Sequence, residues 1–132
     1  MTVRSIPEGF HTLTPHLHVQ GAAALIDFLQ ETFGSNEIGR VTRPDGTIAH
    51  AQVRIGDSMI EASDAQGRFP PMSNAIHVYV NDVDKVYESA LRAGATSLYG
   101  PVDQDYGDRE AGVKDAFGNH WYIGTRTKDI SK

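Results

Sequence analysis

The chain contains no cysteine, which removes disulfides, thiolate nucleophiles and sulfur-ligated metals in one step. It also lacks any run of lysine and arginine: 12 basic against 17 acidic side chains leave a formal net charge of −5. Nucleic acids and anionic membrane surfaces call for a basic patch, so neither is expected as a partner. No segment approaches the ~20 apolar residues of a membrane span. Residues 1–7 lack the apolar core of a signal peptide, so a cytoplasmic location is expected. Low-complexity stretches, phosphate-binding glycine loops, dinucleotide fingerprints and nucleophilic triads are likewise missing. The 132 residues are one domain's worth of chain, enough for a core without staples.

What the sequence does contain is an internal repeat. Thr12 to Val19 is a strand-like run followed by an apolar-periodic stretch from Ala22 that stops at Gly34. Ala75 to Val80 leads into a second such stretch, from Val83 to Ala93, that stops at Gly94. Each copy continues into paired strands with a glycine turn, Ile55-Gly56-Asp57-Ser58 in the first and Ala116-Phe117-Gly118-Asn119 in the second. A unit of this length cannot bury its own apolar face, so the copies are expected to share a core.

Alternation and helical spacing assign the elements. In the first strand Leu13, Leu17 and Val19 share one face, and Thr14, His16 and His18 the other. The spacing predicts a first helix striped by Leu25, Phe28, Leu29 and Phe33, capped by Gly34. It predicts a second helix, opened by Asn81 or Asp82, striped by Val83, Val86, Tyr87, Ala90 and Leu91. Strands are expected at 37–42, 48–55 and 58–63, and again at 97–100, 109–114 and 120–126. Pro44-Asp45-Gly46 is a turn, 64–74 a linker. Each half therefore reads strand–helix–strand–strand–strand, the repeats spanning about 10–65 and 74–126 of a single domain covering 1–132.

This layout resembles the vicinal oxygen chelate superfamily, which includes glyoxalase I, bleomycin-resistance proteins and extradiol dioxygenases. Pro7-Glu8-Gly9-Phe10-His11-Thr12, Ile55-Gly56-Asp57-Ser58, Tyr106-Gly107-Asp108-Arg109 and Asp115-Ala116-Phe117-Gly118 are similar to signatures of its PhnB-like branch. The resemblance implies an α+β fold of two βαβββ modules whose mixed sheet curves into a cup with the helices outside. It also implies a small-molecule ligand in the cup, and a homodimer, for which Phe69 and Met72 are candidate contact or lid residues. Members isomerise, open epoxides, cleave aromatic rings or sequester drugs, so the site residues must decide the function.

The family's metal ligands correspond to Thr14, Glu61, Ala75 and Tyr122. Only Glu61 is a good ligand for a divalent ion, so that site is expected to be lost and no cofactor to be used. His16 and His77 lie two residues beyond two of those positions, a displacement of about 6.6 Å with the same facing. With Glu61 they would form a relocated two-histidine, one-carboxylate set for one divalent ion, in a metal-dependent lyase, isomerase or dioxygenase. The other reading is a metal-free cavity lined by polar residues. There His16, His77 and Glu61 are the candidate acid–base groups, and Thr14, His18, Tyr79, Tyr122 and Arg109 are candidate ligand contacts. Such a protein either binds or transforms a small, partly aromatic metabolite, and whether it is an enzyme stays open. Glu61 could instead pair with Arg54, and Arg109 with Asp108 or Glu110. His50 and Gln52 are accounted for by hairpin polarity.

Overall fold

The computed structural model describes residues 3–129, and the chain divides between Met72 and Ser73 into two compact units matching the repeat. The first unit runs β1 (His16–Val19), α1 (Ala22–Phe33), β2 (Asn36–Thr42), β3 (Ile48–Ile55) and β4 (Ser58–Asp64). The second runs β5 (Ala75–Tyr79), α2 (Val83–Arg92), β6 (Thr96–Asp103), β7 (Asp108–Lys114) and β8 (His120–Arg126). Each is βαβββ, and the class is α+β, as the sequence predicts. Each unit holds one four-stranded sheet, in the orders β1-β4-β3-β2 and β5-β8-β7-β6. The first strand of each runs parallel to the last and the other pairs are antiparallel, because the helix provides the crossover that a parallel pair needs.

In the first unit Leu17 and Val19 are buried, as are Leu25, Ile26, Phe28 and Leu29 of α1, which packs against β1, β3 and β4. Full burial of each large side chain contributes roughly 1.5–3 kcal/mol. Leu13 departs from its expected place on this face and is 84% exposed. The cause is Pro15, which has no N–H to give a ladder, so β1 starts only after it. Helix α1 ends at Gly34, whose φ of 65° closes the last turn with an N–H donated to the Gln30 carbonyl.

The start of α1 has no capping side chain of its own. Asp64, at the end of β4, serves instead: its Oδ1 accepts the N–H groups of Gly21 and Ala22, each at 2.9 Å, and its Oδ2 accepts that of Ile48 at 2.7 Å. Burial works to raise the Asp64 pKa, but the three backbone donors outweigh it and hold the carboxyl below its ordinary 3.8. One carboxylate thus fastens α1, β3 and β4 together.

In the second unit Asp82 caps α2 by accepting the Lys85 N–H at 3.2 Å. Val83 and Ala90 are buried, as are Ala111, Val113, Trp121 and Ile123 of the β7 and β8 strands that α2 packs against. Trp121 donates its indole N–H to buried Asp115 at 2.8 Å, and Asp115 also accepts from the Phe117 and Asn119 backbone and the Asn119 side chain. A carboxylate out of water is tolerated when its lone pairs are filled in this way. Among the described residues, no helix is long and apolar enough to cross a membrane.

Candidate functional site

On the sheet face opposite α1, His16 of β1 and Glu61 of β4 are register partners. His16 Nδ1 lies 3.4 Å from one Glu61 oxygen, and His50 Nε2 lies 2.9 Å from the other. These imidazoles take the place expected for Arg54, and His50, which the sequence assigns to hairpin polarity alone, is a full member of the cluster. The Ser63 hydroxyl donates to the Ala49 carbonyl at 2.9 Å, so it accepts the N–H of His16 Nε2 at 2.8 Å. Burial, reinforced by neighbouring His18 and His50, lowers the His16 pKa from 6.5 against the pull of Glu61.

The His16 and His18 rings stack 4.3 Å apart at 9°, and His18 stacks on Phe69 at 5.6 Å and 11°. They line a pocket of about 270 Å³ with Arg43, Ser63 and Asp64. Asp64 is committed to its backbone donors, and Arg43 donates to Thr47 and the Ile48 carbonyl. The Nδ1 of His18 is buried and, among the described residues, has no hydrogen-bond partner. Thr14 lies just ahead of β1 and is half-buried.

In the second unit the corresponding strands carry a different set. His77 Nε2 meets Glu110 Oε2 at 3.0 Å, while Glu110 Oε1 accepts the hydroxyls of Tyr99 at 2.6 Å and Tyr106 at 2.9 Å. Tyr79 donates to Asp108 at 2.7 Å, and Arg126 lies 3.4 Å from the other Asp108 oxygen. Burial works to raise the Glu110 pKa, but bonds from Tyr99, Tyr106 and His77 outweigh it and leave the value below 4.5. Lost hydration and the bond to Glu110 push the Tyr106 phenol up to about 12, and raise that of Tyr99 as well. A ligand atom from each of His77, Asp108 and Glu110 lies within 4.8 Å of the others.

Glu110, Asp108, Tyr99 and Tyr106 were not singled out as site residues by sequence. The available signal was the alternation Asp108-x-Glu110-x-Gly112 on one strand face, opposite buried Ala111 and Val113. Tyr122, expected as a ligand contact, pairs its hydroxyl with His120 Nδ1 at 3.2 Å. Arg109 is bound by Asp84 at 3.0 Å and Asp103 at 3.3 Å rather than by Asp108 or Glu110, because it points to the face of β7 that α2 covers. Of the family's four ligand positions, Ala75 has no donor atom and both oxygens of Glu61 face histidines.

Residues 10–123 match the sequence profile of the Glyoxalase/Bleomycin resistance protein/Dioxygenase superfamily. An uncharacterised protein of Mycobacterium bovis is 37% identical over 130 residues, covering 90% of this chain and 86% of the relative. Among solved structures, TioX from Micromonospora sp. ML1 has a TM-score of 0.74 at 22% identity, over 88% of this chain and 98% of TioX. TnmS3, an antibiotic-binding protein from Streptomyces sp. CB03234, has a TM-score of 0.70 at 21% identity, over 95% of this chain and all of TnmS3 (100%). The profile match spans most of the sequence, and the chain belongs to the glyoxalase/bleomycin resistance protein/dioxygenase superfamily.

Proposed function

We propose that the protein binds a small, partly aromatic molecule without the help of a metal at its ligand site. The observation that carries this is the first unit's pocket of about 270 Å³, walled by the parallel rings of His16, His18 and Phe69. Stacked rings offer a planar ligand a face to lie on. The buried His18 Nδ1, without a hydrogen-bond partner among the described residues, supplies the kind of orienting polar group a ligand cleft uses. The structural neighbour TnmS3 is described as antibiotic-binding, so the fold serves a binding role in at least one relative. The family's metal positions do not fit an ion: Ala75 cannot ligate, and Glu61 is engaged by His16 and His50. No catalytic step is therefore routed through a metal there.

A second reading is favoured by the His16–Glu61–His50 cluster, whose groups could move a proton on a bound metabolite. Calorimetry of chelator-treated protein with anthraquinone-2-sulfonate, a planar aromatic probe, tests the first reading. Saturable binding with the probe recovered unchanged supports sequestration; conversion of the probe supports the second. No binding overturns the pocket assignment.

The PhnB-like branch, a cytoplasmic location and a homodimer belong to the same proposal. Exposed apolar side chains support the dimer, Leu13 at 84% and Val41 at 60% among them, with Val41 on sheet-edge strand β2.

A further inference from the structure

We propose that the second unit carries a divalent metal site formed by His77, Asp108 and Glu110. This set differs from the family's four positions, and from the relocated trio in which His77 would share an ion with His16 and Glu61. Its ligand atoms already lie within 4.8 Å of one another. Donors bound to one ion at about 2.0–2.2 Å can stand at most about 4.4 Å apart, so side-chain movement of roughly an ångström closes the set.

Charge is the second observation. Asp108 and Glu110 alternate along β7 and are only 2% and 8% exposed. Among the described residues, the side chains in ion-pair contact with them are Arg126, 3.4 Å from Asp108, and His77. Against their two negative charges stands one permanent positive charge, on Arg126, since His77 is charged only when protonated. The hydroxyls of Tyr79, Tyr99 and Tyr106 fill lone pairs and add none. The pair can therefore take the charge of a divalent ion.

The arrangement around these carboxylates is that of oriented ligands. Tyr99 and Tyr106 hold Glu110 Oε1, leaving Oε2 turned toward His77 Nε2. An ion between them would take the place of the hydrogen on Nε2, with the imidazole carrying its proton on Nδ1 instead. One imidazole and two carboxylates, with further positions left for water or a ligand, suit zinc or manganese better than a soft, thiolate-seeking ion. Gly124 keeps the path open, since a Cβ there would sit 3.1 Å from His77 Cε1.

The test is calorimetric titration of the full chain, stripped by chelator and dialysed, with zinc and with manganese chloride, and anomalous scattering from crystals grown with the ion. One ion per chain is expected, with an anomalous peak between His77 and Glu110. His77→Ala and Glu110→Gln should each weaken binding about 10-fold or more, whereas His16→Ala should leave it unchanged. His77 is half-exposed, so its alanine variant keeps the test valid even if Glu110→Gln does not fold. Absence of binding, an anomalous peak elsewhere, or affinity indifferent to His77→Ala would overturn the proposal. Equal loss in His16→Ala would overturn it as well.

Discussion

His77 reaches Glu110 across the bare backbone of Gly124. Their strands, β5 and β7, are separated by β8, and Gly124 is the register partner of both Tyr79 and Glu110. In the first unit the matching position is Ser63, two residues beyond Glu61 as Gly124 is two beyond Tyr122. There His16 stops at the Ser63 hydroxyl, 2.8 Å away. The position that is open in the second unit is occupied by a hydroxyl in the first.

Gly124→Ser should therefore give the second unit the character of the first. The His77–Glu110 bond of 3.0 Å is expected to break and the imidazole to engage the new hydroxyl. A crystal structure of the variant, or the nitrogen shifts of the His77 ring, reads this directly. An unchanged His77–Glu110 bond would remove the role given to Gly124.

Gly112 tests the other approach to Glu110. The Tyr99 ring lies over it, so that a Cβ at 112 would fall 2.6 Å from Tyr99 Cε1. Gly112→Ala should destabilise the protein by about 1–3 kcal/mol, the usual cost of overpacking. It should also loosen the Tyr99–Glu110 bond. Denaturant unfolding with the wild-type midpoint would place the Tyr99 ring elsewhere.

Asp64→Asn should cost about 1.5–3 kcal/mol at neutral pH, because one amide cannot accept at both positions the carboxylate fills. The pH dependence has a definite sign. The folded pKa lies below 3.8, so the unfolded chain binds the proton more readily, and this stabilisation is fully present above 3.8. It is lost as pH falls through the folded value. The gap between wild type and variant in urea titrations should accordingly narrow in acid. A gap that widens there would contradict the assignment.

Periodicity and turn chemistry made the fold legible: the 3.6-residue stripes placed α1 and α2, and Gly34 and Asp82 marked their ends. What periodicity could not convey was how far a ladder runs. Leu13 has the right parity for the core, yet Pro15 ends the pairing before it is reached. The site was legible by facing and not by partnership. His16, Glu61 and His77 could be placed on sheet faces by counting, but Glu61 meets His50 and His77 meets Glu110 through strand register. Those pairings depend on cross-strand register and, for His77, on Gly124 having no side chain to block the way. None of these has a period.

The aromatic wall of the first unit yields its own expectation. Phe69→Ala removes the outer ring of the His16–His18–Phe69 stack, and should weaken binding of anthraquinone-2-sulfonate by about 10-fold, or roughly 1.4 kcal/mol. Phe69 is 51% exposed, so stability should be little altered. Parallel calorimetry and thermal unfolding separate the two effects, and equal losses in both would reduce Phe69 to a structural role.

The most direct measurement is amide and histidine chemical-shift mapping by NMR, on chelator-treated protein titrated with anthraquinone-2-sulfonate. Metal-independent binding predicts saturable shifts clustered at His16, His18, Ser63 and Phe69, with the chelator present throughout. Shifts that appear only after a divalent ion is added, or that spare these residues altogether, would contradict it.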